Sequence, residues 1–175
     1  MIWYTALVLA VAAERLAELV LALRNARWSL ARGGTEAGRG HYPVMVALHT
    51  GLLVACLAEV WLAGRPFAPR SGWAMVAVVA AAQGLRWWCV RTLGYRWNTR
   101  VIVVPGLPPV TGGPYRLLRH PNYVAVAAEG AALPLVHGAW VTAVLFTVFN
   151  AALMTVRIPC EDSALARLAG ADART

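Results

Sequence analysis

Apolar residues in this chain come in long runs rather than in the short alternations of a sheet protein. Five runs stand out, at roughly 1–23, 43–63, 72–90, 122–136 and 139–156. A helix needs about 20 apolar residues to cross the hydrocarbon core of a bilayer. The first three runs meet that length. The last two are shorter, and Pro134 with Gly138 marks a tight reversal between them. The pattern predicts an all-α integral membrane protein with about five transmembrane helices, the last two a helical hairpin that need not reach the far side.

Composition agrees. Of 175 residues, 59% are hydrophobic and 14% charged, with a mean hydropathy of +0.58. So few charges do not cover the surface of a soluble domain of this size. The formal net charge of +8 would suit a nucleic-acid binder, yet every basic residue is Arg and all but Arg15 and Arg86 lie in the polar stretches outside the apolar runs. That distribution is a topology signal, and nucleic acid is excluded as the partner. Cys56, Cys89 and Cys160 are odd in number and show no paired spacing, so neither a disulfide framework nor a metal site follows. The first run lacks a basic start and a small-residue cleavage site, and reads as a first membrane helix rather than a signal peptide.

The arginines also orient the chain. Arg24, Arg27, Arg32 and Arg39 follow the first run, and Arg91, Arg96, Arg100, Arg116 and Arg119 follow the third. Arg157, Arg167 and Arg174 follow the fifth, against only Arg65 and Arg70 on the opposite side. This bias places the N-terminus outside, and the two Arg-rich loops and the C-terminus in the cytoplasm. Trp87, Trp88, Tyr95 and Trp97 fit an interfacial aromatic belt.

The 91–121 connection is long for a compact chain, and such loops are usually functional. Its Val101-Ile-Val-Val104 stretch is β-branched and apolar, Pro108-Pro109 keeps the backbone extended, and Thr111-Gly-Gly-Pro114 supplies turn chemistry. It leads into Arg119-His120-Pro121-Asn122-Tyr123. Pro121 suits a first helical position, and the N–H groups of a helix start favour an anion. His120 and Tyr123 share a face. After the hairpin comes Arg157-Ile-Pro-Cys-Glu161-Asp162, with Arg157 and Glu161 one turn apart. Alone, that pair would be a surface ion pair. If the hairpin returns to the face it left, the two polar clusters meet and form one site.

Glu129 lies inside the fourth run. A membrane-embedded acid reads as a functional group by default, with a buried helix-bridging carboxyl as the equal alternative. Glu14, Arg15 and Glu18 read as an intramembrane ion pair holding helices together. His41 and His49 reach toward the acceptor side or merely begin the second helix, and no ligand spacing joins them to His120 as a metal site.

Thr111–Tyr123 together with Arg157–Asp162 resembles the C-terminal core of the isoprenylcysteine carboxyl methyltransferase family: a small-residue turn, a Tyr, Arg-His-Pro-x-Tyr, a helical hairpin and Arg-x-x-x-Glu. The resemblance is strong over about 95–165. Over 1–90 it is closer to a short bacterial branch, with Gly40–His49 as its recognisable piece. One departure is Asp162, where the family usually continues its Glu run.

The resemblance implies S-adenosylmethionine as methyl donor, bound at the cytoplasmic face of a bacterial cytoplasmic membrane. Leu107, Pro108, Pro109, Val110 and Tyr115 would line the cofactor, His120, Pro121, Asn122 and Tyr123 would form its main pocket, and Glu161 would hold a polar end. Arg157 would face a lipophilic small-molecule acceptor entering from the membrane lipids, with His41 and His49 on the acceptor side. Residues 1–90 would then be a three-helix substrate-side region and 91–175 the methyltransferase core, the two making one structural unit. No Gly-rich strand-to-helix turn of the kind that cradles cofactor in soluble enzymes is present.

The implied reaction is an in-line methyl transfer to oxygen, in which alignment and exclusion of water matter most. A carboxylate acceptor needs no base and is oriented by Arg157. A neutral phenol or enol needs one, for which Glu129 is the candidate. A polyketide-derived alkyl phenol or pyrone fits a bacterial chain, by analogy. A phospholipid amine N-methyltransferase and a non-enzymatic membrane scaffold are the competing readings.

Overall fold

The computed structural model describes residues 1–172, with five helices, the third and fourth of them joined by the long 94–120 segment. They are α1 (Ile2–Leu30), α2 (Tyr42–Leu62), α3 (Pro69–Leu93), α4 (Pro121–Leu135) and α5 (Trp140–Asp172). Each expected apolar run is a helix, but α1 and α5 outrun theirs. Arg24, Arg27 and Arg157 therefore sit on helical turns rather than in loops. Arg174 lies outside the described residues.

Among the described residues, three segments are long and apolar enough to cross a membrane: Arg39–Leu62, Pro69–Arg96 and Trp140–Arg167. The expected five is thus three by length and composition. Helix α4 has 15 residues, about 22 Å at 1.5 Å per residue, and it stays short of a full crossing. Helix α1 is long enough but carries Glu14, Arg15 and Glu18 at mid-length. Those charges turn inward, while Leu9, Leu16 and Val20 on its other face are exposed. Together with exposed Val54, Leu62, Val148 and Phe149, they form an apolar outer surface far larger than water-facing proteins carry.

The core runs through all five helices. Tyr4, Val8 and Val11 of α1 pack with Leu52, Cys56 and Val60 of α2, Val79 of α3, Leu133 of α4 and Phe146 of α5. The hairpin ends are closed by side chains. The Tyr4 hydroxyl donates to the Leu133 carbonyl (3.1 Å), and the Glu59 carboxylate accepts from the Thr142 N–H (2.8 Å) and the Thr142 hydroxyl (2.8 Å). Glu59 thereby caps the N–H groups that the first turn of α5 leaves unpaired.

At the opposite end the chain departs from the all-α expectation. Thr35–Ala37 (β1) pairs antiparallel with Val101–Val103 (β2), with Glu36 opposite Ile102. The β-branched stretch read as extended loop is thus a strand, with a partner supplied by the turn after α1. Glu36 reinforces the join, with Arg39 at 3.2 Å and Arg100 at 3.6 Å. Gly38 closes it with a positive φ of 65°. A Cβ there would meet the His41 ring at 2.0 Å, so no larger residue fits without rearrangement.

Candidate active site

The small sheet, the 94–120 loop and the second half of α5 enclose a cavity of about 500 Å³, a volume suited to a small ligand. Leu107, Pro108, Pro109 and Val110 form one wall, and Tyr115, His120, Arg157, Glu161 and Asp162 face it. The Arg96 guanidinium fixes that wall by donating to the Pro108 carbonyl (2.6 Å). Tyr115 is held by the turn at Gly113, whose positive φ of 56° lets the backbone lie against Thr92. Burial, reinforced by the neighbouring Cys89, pushes the Tyr115 hydroxyl well above the usual phenol range, so it stays neutral.

The two polar clusters do meet. Tyr123, in the first turn of α4, donates its hydroxyl hydrogen to Glu161 of α5, and Arg157 Nε donates to the same oxygen (3.1 Å). Arg157 and Glu161 are therefore joined through Tyr123 rather than paired directly. The Arg157 guanidinium also donates to the Thr99 carbonyl, and the side chain is buried. His120 stacks on the Tyr123 ring, centroids 5.5 Å apart. Its Nε2 lies 3.2 Å from Asp162 Oδ1. This is close enough for attraction but off the line of a hydrogen bond, leaving Nε2 unpartnered. Arg157 Nη1 and Asn122 Oδ1 are likewise buried without partners. Unmade hydrogen bonds in buried groups are costly, and a polar ligand beside these three would complete them; Arg15 Nε, Glu18 Oε1 and Arg86 Nε, farther along the bundle, are also unpartnered.

A second cavity, about 200 Å³, adjoins the first. Tyr42, Met45, Val46, His49, Thr50 and Leu53 line it from one face of α2, and Leu16 and Leu19 from α1. Asn122, Tyr123 and Arg157 line it from the site side. Arg157 borders both cavities.

Of the residues expected to hold the cofactor, Leu107, Pro108, Pro109, Val110, Tyr115, His120 and Glu161 border the larger cavity. Asn122 and Tyr123 border the smaller one. Pro121 is fully buried and starts α4, lining neither. On the acceptor side His49 lines the smaller cavity, whereas His41 packs beside Gly38 and Cys160 away from both. Glu129 reaches neither cavity. Its Oε2 accepts from Arg86 (2.6 Å) and Arg15 (3.1 Å), in a buried cluster that also holds Glu14, Glu18 and Gln83.

Several site residues carried no recognisable signal. Arg96 and Arg100 counted only toward topology, and Thr99 was one more loop residue. Trp97 was read as part of an aromatic belt, but it is 2% exposed. Its carbonyl accepts from Asn25 (2.8 Å), and its ring lines the smaller cavity. It is a packing residue, unlike Trp88 and Tyr95, which are exposed. Among the described residues no three His, Cys, Asp or Glu side chains converge as metal ligands.

Residues 75–167 match the isoprenylcysteine carboxyl methyltransferase (ICMT) family. The uncharacterized protein YpbQ of Bacillus subtilis (strain 168) is 39% identical over 166 residues, covering 94% of this chain and 96% of that protein. No solved structure matches. The chain belongs to the isoprenylcysteine carboxyl methyltransferase family, a family of membrane methyltransferases whose members use S-adenosylmethionine. The matched region takes in α4, most of α3 and α5, and the whole loop between α3 and α4.

Proposed function

We propose that this protein is an S-adenosylmethionine-dependent O-methyltransferase of the bacterial cytoplasmic membrane. Its acceptor is a lipophilic molecule bearing a carboxylate, phenol or enol. The observation that carries the reading is Arg157, a buried cation that borders a polar-ended cavity on one side and a mostly apolar one on the other.

The larger cavity suits the cofactor. Leu107, Pro108, Pro109 and Val110 offer apolar surface to a purine ring, while Glu161 and Asp162 supply anions for an ammonium or ribose hydroxyls. The unpartnered His120 Nε2 adds a further polar contact. Bound there, the cofactor supplies a methyl group activated by a positively charged sulfur. The chain's own residues align and exclude. Tyr123 ties Glu161 to Arg157, so the group that holds one ligand and the group that orients the other are fixed relative to each other. Such pre-set geometry is what an in-line transfer requires. The apolar wall of Leu16, Leu19, Met45, Val46 and Leu53 takes the acceptor's tail and keeps water from the reacting atoms.

Of the two readings of Glu129, we take the structural one, because Arg15 and Arg86 both occupy its carboxylate. Residues 1–90 and 91–175 act as one unit, since both cavities draw on both parts. The Arg-rich end, which holds the larger cavity, is taken as cytoplasmic. A polyketide-derived alkyl phenol or pyrone remains our preferred acceptor.

The test is to incubate the membrane protein with methyl-labelled S-adenosylmethionine and a lipid extract, then recover the label. Label in a base-labile ester or a phenyl ether supports O-methylation. Base-stable label in phospholipid headgroups supports amine N-methylation instead. A protein neither stabilised by S-adenosylhomocysteine nor able to label any lipid is a scaffold, and the proposal falls.

A further inference from the structure

His49 stands outside the machinery described so far, and its surroundings fix its chemistry. It lies on the α2 face that lines the acceptor cavity. Its Nδ1 is 2.8 Å from the Met45 carbonyl, one turn back. A carbonyl only accepts, so Nδ1 carries the hydrogen. In the neutral ring Nε2 therefore holds a free electron pair. The ring is braced edge-on against Phe146 of α5, centroids 5.6 Å apart.

Behind His49 lies the buried ionic cluster, which shares with it a small void bordered by Arg15, Arg86 and Glu129. The charged groups around the ring are Arg15 and Glu18 of α1, Arg86 of α3, Glu129 of α4 and Arg157 of α5, with the phenols of Tyr42 and Tyr123 in the same cavity. Glu14 completes the cluster through Arg15 and Gln83. Its three carboxylates face two guanidiniums, Arg15 and Arg86. Counting Arg157, three guanidiniums stand against three carboxylates around His49, so the surroundings carry no net charge to repel a transient imidazolium, where an isolated buried charge would be very costly.

We propose that His49 is the general base of the transfer and that the acceptor is a neutral hydroxyl compound, a phenol or enol, rather than a preformed carboxylate. This rests on the methyltransferase reading above and specifies its acceptor. The acceptor O–H bond breaks and its proton passes to His49 Nε2. The oxygen electron pair forms the new O–CH₃ bond while the methyl–sulfur bond breaks, its pair staying on sulfur. The sulfonium charge is replaced by the imidazolium, so the number of positive charges in the site is unchanged. Glu129, the base expected from sequence, instead stabilises the charged ring from behind.

The test compares wild-type and His49→Ala protein on two long-tailed phenols, an ordinary alkyl phenol and an alkyl nitrophenol already ionised at neutral pH. Removing a general base typically costs 10²–10⁴-fold. His49→Ala should lose about that much on the alkyl phenol and far less on the nitrophenol. Its residual alkyl-phenol rate should rise toward pH ~10, where a phenol ionises unaided. In wild type the rate should fall as pH drops and His49 gains its proton. A second readout needs no turnover: the wild-type protein without cofactor should hold the bound nitrophenol as its coloured anion to lower pH than His49→Ala does. Stabilisation by S-adenosylhomocysteine should be unchanged in the variant.

Equal loss on both phenols, or an unaltered alkyl-phenol rate, overturns the base assignment. Wild-type transfer confined to a long-chain carboxylate overturns the acceptor class. If wild-type protein gains no stability from S-adenosylhomocysteine and transfers to nothing, the methyltransferase reading itself has failed, an outcome distinct from the other two.

Discussion

The molecule has two buried polar regions built from much the same residue types, and they differ in how their carboxylates are paired. In the cluster between α1, α3 and α4, each carboxylate meets at least one guanidinium, and the whole is tied by Gln83 and the Trp87 indole (2.6 Å to Glu14). At the junction of the loop, α4 and α5, Tyr123, Arg157 and Glu161 hold one another. His120 Nε2, Arg157 Nη1 and Asn122 Oδ1 have no partner, and a cavity of about 500 Å³ lies alongside. The first arrangement spends its charge on holding helices together. In the second, Glu161 accepts from the Tyr123 hydroxyl, has no guanidinium paired with it among the described residues, and borders the larger cavity. Both regions keep buried atoms without partners, Arg15 Nε, Glu18 Oε1 and Arg86 Nε in the first, so structure and site are separated here by how the carboxylates are paired and by the space beside them.

Four substitutions sharpen that contrast. Glu129→Ala leaves Arg15 and Arg86 sharing only Glu18, and should destabilise the detergent-solubilised protein by about 3–5 kcal/mol. Thermal unfolding reads this, and a wild-type melting temperature in the variant would show that the cluster is not structural. Arg157→Ala should lower turnover by about 10²–10³-fold while sparing stabilisation by S-adenosylhomocysteine. If the variant lost the cofactor instead, its assignment to the acceptor side would be wrong. Glu161→Ala should leave the fold intact but abolish ligand-dependent stabilisation, which in wild type reaches about 2.7 kcal/mol at a hundredfold excess over Kd. Unchanged cofactor binding in that variant would sink the site assignment. Asp162→Asn removes only half-exposed pairs with Arg119 (3.5 Å) and His120 (3.2 Å), and should cost less than about 1 kcal/mol. A loss as large as that of Glu161→Ala would move the acidic end of the site one residue along α5.

Much of the architecture is legible in one dimension because long apolar runs have a single outcome in lipid, where the backbone must satisfy itself in a helix. Five runs became five helices, with the Pro134–Gly138 reversal in place. Their ends were less legible. Helix α1 continues through Arg24 and Arg27, and α5 through Pro159, because helix formation does not stop where hydrophobicity does. Among the described residues three segments qualify as spans by length and composition, because α4 is short and α1 carries charges at mid-length. Strand β2 was visible as a β-branched stretch, but its partner Thr35–Ala37 is three residues with no pattern of their own. Pairing supplies what propensity lacked.

The sequence by itself determined the membrane class, the helical hairpin and the two motifs whose residues gather at one end. Each of these follows from local composition or from residues close together in the chain. Tertiary structure alone decided which polar groups are already satisfied, because a partner can lie a hundred residues away. Glu129 is held by Arg15, 114 positions earlier, a partner that no local reading of the fourth run contains. His49 was one of two candidates until the packing of α2 put it in a cavity and His41 outside. Arg157 borders two cavities because α5 runs unbroken past the apolar run that ends at 156 and carries it there.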